Sequence, residues 1–399
     1  MKINRHSTFR ATLVIALMLI ITIASSRLRA DSGSCGGVAI TLPFTDVAGN
    51  LFFCDIAEAF FSELTEGTTP TTYSPSQIVP REQMAAFVTR TLDQSLRRGS
   101  RRAALKQFWS PTSIDGFGFT TVGGTPLQVA CDGADLWVTD NTGGTVSRVR
   151  ASDGALLGTW TGATNAYGVV VATGKVFVTG STSPGKLYQI DPTQAPGTVT
   201  TLTSSLGNNP RGISFDGSRI WTANYGQSVS VVSLDTLTVN TVGLFAQPTG
   251  ILYDGANMWI TNQQFDGRLF KLDSSGQFIQ TVDTGHYPSF PVFDGTNIWV
   301  PNSGSDSVTV VRASNGRIIS TLSHSSIQAP IAAAFDGERI LITNGSGANG
   351  PGFVSVWKAS ALTPLNTFSP AAESGPFGVC SDGLNFWIAL SGTGQLARY

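Results

Sequence analysis

Charge is scarce in this chain: Asp, Glu, Lys and Arg make up 13% of its 399 residues, about half of the roughly 25% usual for soluble domains. With 25 basic and 26 acidic residues the formal net charge is −1. A global pull towards nucleic acid or an anionic membrane is therefore excluded. Histidine is nearly missing, at three residues, and the four cysteines show no CxxC or Cys/His spacing that would hold zinc. Ser/His/Asp constellations are not evident. Gly-rich stretches such as 345–352 have neither the lysine nor the helix start of a phosphate loop. No cofactor and no resident metal are expected.

Long apolar runs are confined to the N-terminus. Lys2, Arg5 and Arg10 precede and open an apolar stretch from Ala11 to Ser25, and Ala30 supplies a small residue for cleavage. That run is shorter than the roughly 20 residues a spanning helix needs. Residues 1–30 read as an export signal, and no later segment is apolar enough to span a bilayer. The expected location is the periplasm, the cell surface or the extracellular space. Four cysteines suit such an oxidising compartment. Cys35 and Cys54, close in sequence, are the expected disulfide.

What the chain does have is a repeated phrase. Asp-Gly, two residues, an apolar residue and Trp recur at 132–137, 216–221, 254–259, 294–299 and 382–387. Asp336-Gly337 keeps the frame but ends in Leu341, and Thr173-Gly174 to Phe177 is a shorter relative. Pro126, Tyr167, Pro210, Pro248, Pro288, Pro330 and Pro376 mark successive unit starts at intervals of about 40 residues. Each unit reads as four short strands, as at Thr249–Tyr253, Met258–Thr261, Arg268–Leu272 and Phe278–Thr281, with Asp-Gly and Ser-Gly turns. Four strands every forty residues is the mark of a propeller blade. The fold expected is an all-β seven-bladed β-propeller over 108–399. The last unit stops after its third strand, so 116–123 is expected to complete the last blade and hide its edge. Such a closed ring is expected to be a monomer.

Two resemblances accompany these patterns. Trp-Ile-Thr-Asn at 259–262, Trp-Val-Pro-Asn at 299–302, Leu-Ile-Thr-Asn at 341–344 and Trp-Val-Thr-Asp at 137–140 resemble the YVTN/NHL-type propellers. More distantly they resemble virginiamycin B (streptogramin) lyases. Residues 31–107 differ in character, with helical apolar spacing over Asp55–Glu66 and Arg81–Leu96. Phe44-Thr-Asp-Val47, Tyr73-Ser-Pro75 and Val79-Pro-Arg-Glu-Gln-Met-Ala85 resemble one S-layer homology repeat, a small α-helical module. That family holds cell-wall polysaccharide with sets of three repeats, and Arg81 is the residue carried over as a polymer contact. This chain has one repeat, and Pro80 stands where the family usually has Thr. The arginines at 97, 98, 101 and 102 belong to a basic linker helix.

Most memorable residues here are scaffold. The aligned Trp side chains fill the wedges between blades, and the Asp residues serve their turns. Cys131 and Cys380 sit at almost the same place in the first and last repeats, so a ring-closing disulfide is an open alternative. A one-residue difference in frame sets their side chains on opposite strand faces. Function is expected where the copies disagree, in the loops before the first strand and after the second. These present Tyr167, Arg211, Tyr225, Gln263, Phe265, His286, Tyr287, Asn302 and Asn344. Aromatic rings, amides and one guanidinium suit a protein, peptide or glycan ligand. The reading is an exported, non-catalytic binding module. The rivals are a lyase-like enzyme with His286 as base, for which Gln247, Asn209 and Gln328 stand where an acidic partner is needed, and a purely structural envelope protein.

Overall fold

The computed structural model describes residues 30–35, 38–61, 65–81, 83–85, 87 and 118–399, apart from 244, 346–351 and 371–372. Residues 1–29 of the expected export signal, most of the second helix and the arginine cluster lie outside the described residues. The chain divides into two compact units, Met1–Ser110 and Pro111–Tyr399.

The first unit is not purely helical, which corrects the sequence reading. It opens with an antiparallel hairpin, Asp31–Cys35 against Val38–Leu42. Here Ile40 and Leu42 turn inwards while Ala39 and Thr41 face out, the period-two pattern of a half-buried strand. The helix Phe53–Phe61 buries Phe53, Ile56 and Ala57 on one stripe against Leu42, Phe44 and Val47. A Cys35–Cys54 disulfide, with Cα atoms 5.6 Å apart, ties hairpin to helix. Both oxygens of Asp46 accept backbone N–H bonds, from Tyr73 at 2.8 Å and Ser74 at 2.7 Å. The Tyr73 ring meets Phe44 at 5.3 Å. Phe44-Thr-Asp-Val47 thus anchors the Tyr73-Ser-Pro75 turn. Arg81 is exposed.

The second unit is a ring of seven four-stranded antiparallel sheets. The innermost strands, blade 1 to blade 7, are Pro126–Cys131, Ala166–Ala172, Pro210–Phe215, Pro248–Tyr253, Val292–Phe293, Pro330–Phe335 and Pro376–Ser381. Each touches the next, and the seventh touches the first. The outermost strand of blade 7 is Gly118–Thr121, paired antiparallel with Gln395–Arg398. One sheet therefore holds strands from both ends of this unit.

The repeated phrase has a single structural cause. In blade 4, one oxygen of Asp254 accepts the N–H groups of Ala256 (2.9 Å) and Asn257 (2.7 Å). The other accepts the Trp259 indole N–H at 2.7 Å. The same indole-to-carboxylate bond recurs in Trp137–Asp132, Trp221–Asp216, Trp299–Asp294 and Trp387–Asp382, at 2.7–2.9 Å. Each of these rings is almost wholly buried, so its one donor requires a partner. The carboxylate five residues earlier supplies it while shaping the turn. Blade 6 has Leu341 in place of this Trp, and Arg339 Nε donates to the second oxygen of Asp336 at 2.8 Å, as Arg219 does beside the indole in blade 3.

Cys131 and Cys380 are free thiols, so no second disulfide closes the ring. Their placement also reverses the sequence argument. Neighbouring blades present opposite sheet faces to each other. The one-residue offset therefore turns both side chains towards the same interface, where they pack against Val129, Leu136 and Trp387. Cys131 Sγ instead accepts the N–H of Gly133 at 3.4 Å in its own turn. Burial pushes the Cys131 thiol up to about 11.

A candidate binding site at the propeller centre

The site follows from how closely the innermost strands approach. At the third position of these strands, a Cβ on Gly212 would lie 2.5 Å from Thr249 O, and one on Gly250 would lie 2.5 Å from Ser289 O. Glycine there lets one blade's backbone meet the next. Three blades break the pattern, with Gln128 in blade 1, Phe290 in blade 5 and Ala332 in blade 6 at the equivalent places. Phe290 cannot be accommodated in a regular strand, and blade 5 keeps only Val292–Phe293 of its innermost strand. Isolated bridges at Pro288–Asn302 and Phe290–Ala332 replace the rest.

The displaced Phe290 ring meets Tyr167 of blade 2 at 6.2 Å and Phe377 of blade 7 at 5.9 Å. Tyr167 and Phe377 are 6.1 Å apart. Three aromatic rings from blades that are not neighbours can meet only over the ring's centre. Backbone bonds fix two of the strands that carry them. Thr139 Oγ1 donates to Tyr167 O at 2.6 Å and Thr343 Oγ1 to Phe377 O at 2.7 Å, each from the preceding blade. These threonines belong to the Trp-Val-Thr-Asp and Leu-Ile-Thr-Asn phrases, so the repeat places the aromatic cluster.

Arg211 lies beside it. Its guanidinium stacks on Tyr225 at 3.7 Å, sits 5.8 Å from the Tyr167 ring centre, and donates to Gln263 Oε1 at 3.3 Å. Thr249 Oγ1 donates to the same Gln263 oxygen at 3.3 Å. No carboxylate lies within ion-pair distance of Arg211 among the described residues. Burial pushes the Tyr167 phenol up to about 12, with Arg211 opposing only in part, so Tyr167 remains neutral. A cavity of about 130 Å³ opens here, lined by Gln128, Arg211, Phe290 and the apolar residues Val169, Ile213 and Ile251 among others. Gln128 Nε2 is buried without a hydrogen-bond partner.

Phe265, His286 and Tyr287 form a second group, on the loop that also carries Gln263 and on the entry to blade 5. The His286 ring stacks on Phe265, 4.0 Å between centres and 14° between planes, and its Nδ1 lies 2.5 Å from Phe265 O. Phe265 is 61% exposed and Tyr287 42%. Tyr287 holds a left-handed φ of 51°, a costly conformation for an aromatic residue. Bonds from its N–H to Gln264 O and from Ser303 N–H to its own carbonyl keep it there.

The structure thus gathers Tyr167, Arg211, Tyr225 and Gln263 into one cluster, and Phe265, His286 and Tyr287 into another. It removes Asn302 and Asn344 from the face, because both are fully buried at the ends of second strands. Asn302 Nδ2 donates to Ser307 and Thr309, and Asn344 Nδ2 donates to Ile342 O and Ser355. Asn344 Oδ1 caps the N–H of Gln328. The Asn344 amide is thus spent on its own blade, while Asn302 Oδ1 is buried without a partner. Sequence reading missed Gln128, Thr249, Phe290 and Phe377. The available signal was their place in the two residues after each opening residue, where Gln128 and Phe290 depart from the glycine of other copies. His286 has no acidic partner in its hydrogen bonds, and no cluster of three or more metal-ligating residues occurs among the described residues.

No protein-family model and no curated protein sequence matches this chain. Solved structures do resemble it. A streptogramin B lyase aligns with a TM-score of 0.59 at 16% identity, covering 71% of this chain and 97% of that one. A hydrazine synthase from Kuenenia stuttgartiensis aligns with a TM-score of 0.59 at 16% identity, over 72% and 98% of the two chains. Likeness at this identity shows the propeller fold alone.

Proposed function

We propose that the protein is an exported binding module whose propeller centre holds a ligand without transforming it, and whose N-terminal unit keeps it at the cell envelope. The observation that carries this reading is the Arg211–Tyr225–Gln263 cluster beside the Tyr167–Phe290–Phe377 rings. Stacking surfaces, amides and an unpaired guanidinium recognise a ligand well. Acid–base catalysis needs titratable groups with separated roles. The one imidazole near the centre is stacked on Phe265 and engaged with a backbone carbonyl. A lyase would require it to be paired with an acid. Anchoring is supported by the Phe44–Asp46–Tyr73 arrangement, which matches the residues that resemble an S-layer repeat.

The test presents the full chain to an array of glycans and peptides, beside an Arg211→Ala/Tyr225→Ala variant. The expected result is binding that the variant loses, with the ligand recovered at unchanged mass. Binding indifferent to both substitutions, or a ligand altered on recovery and protected by His286→Ala, refutes a non-catalytic central site.

A further inference from the structure

Resting on that reading of the centre, we infer that the site takes a carboxylated sugar: a uronate residue at the end of an acidic glycan. The cavity is supplied with donors and has no acid to satisfy them. Arg211 spends one of its five N–H donors, on Gln263, and Gln128 Nε2 spends none. Both line the same space, and no Asp or Glu does. A neutral Tyr167 contributes no compensating charge. A carboxylate offers two oxygens in the fork geometry a guanidinium matches, and such charge-assisted pairs are the stronger hydrogen bonds.

The volume sets the rest of the group. About 130 Å³ is a little less than the roughly 150 Å³ that houses one benzene ring, so the space admits the carboxylate and the edge of the ring that bears it, and the rest of the sugar stays at the mouth. The cavity walls are Phe290 and aliphatic side chains such as Val169 and Ile251, surfaces for the C–H groups of that edge. Outside, the loop that carries Gln263 continues to Phe265, whose one face is covered by His286 while the residue stays 61% exposed. That is a platform for the next sugar. An acidic peptide would bring several carboxylates to a face where Arg211 is the one cation among the candidate residues. A glycan ending in a uronate brings one, followed by rings that stack.

Calorimetric titration of the full chain decides this with four probes: trigalacturonate, its carboxyl-reduced counterpart, monomeric galacturonate and pentaglutamate. Trigalacturonate is expected to bind, and to bind at least tenfold more weakly after carboxyl reduction or in Arg211→Gln. Gln128→Leu, which removes the orphaned amide without touching the Arg211 stack, is expected to weaken it several-fold. Phe265→Ala should weaken the trisaccharide but not monomeric galacturonate. Equal affinity for the reduced sugar, still lowered by Phe265→Ala, overturns the carboxylate inference and leaves central binding standing. Pentaglutamate binding as tightly as the uronate, or no uronate binding at all, also overturns it. Uronate binding that ignores all three substitutions places the ligand elsewhere and removes the central-site reading too.

Discussion

Replacing Asp254 by Ala should cost this propeller far more than a surface turn substitution. The carboxylate holds Ala256 and Asn257 N–H groups and the indole N–H of Trp259, a ring with no exposed surface. Its loss removes a charge-assisted bond worth about 1.5–3 kcal/mol net and orphans a buried donor at about 1–3 kcal/mol. These contributions overlap, so the expected loss is about 2–4 kcal/mol. The chain carries its own control. Asp336 serves the same turn in blade 6, but its second oxygen binds Arg339, whose side chain is one-third exposed and can turn to water. Asp336→Ala should therefore cost about 1–2 kcal/mol, from the turn bonds alone. Urea unfolding followed by tryptophan fluorescence and circular dichroism measures both. Equal costs for the two variants would show that the buried indole is not what the Asp-Gly…Trp spacing protects.

Two further outcomes are expected. Asp140, at the end of blade 1's second strand, accepts N–H bonds from Gly124 and Thr125 in the link from Gly118–Thr121 to blade 1. Burial alone would raise its pKa, but those donors with Gly143 and Thr142 outweigh burial and hold it below the usual value. A carboxyl depressed by folding contributes stability above its unfolded pKa of about 3.9 and loses it as pH falls through the folded value. Asn262 caps the equivalent loop with one amide oxygen, so Asp140→Asn should fold and lose about 1 kcal/mol at pH 7. Its deficit against the parent should shrink as pH falls below the unfolded pKa and vanish once pH is below the folded value; a gap that stays constant from pH 7 down to acid unfolding contradicts the ionic cap. For anchoring, deletion of residues 31–107 is expected to release the protein from the envelope fraction. Unchanged retention removes the N-terminal unit's assigned role.

The legible part of the fold is the part that repeats. Trp259, Trp299 and Trp387 share one spacing from an Asp-Gly because a buried donor and a tight turn both need the same carboxylate, and that requirement is local. The centre was less legible. Tyr167, Arg211 and Tyr225 were visible as departures from the repeat, but Phe290 and Phe377 were not singled out. Asn302 and Asn344 read as ligand contacts because their type is polar, while their depth depends on neighbouring strands. In the N-terminal unit the hairpin was overlooked because Asp31–Cys35 and Val38–Leu42 are short and weakly patterned.

Sequence by itself determined the number of blades, the turns and the inter-blade packing, since each follows from spacing within about forty residues. Tertiary structure alone decided what meets at the axis. Residues 167, 290 and 377 come together only when the ring closes, and a single-residue offset that separates side chains on one strand brings Cys131 and Cys380 to a shared interface. Proximity across a closed ring is fixed by the angle between sheets, and that angle is not written in any one repeat.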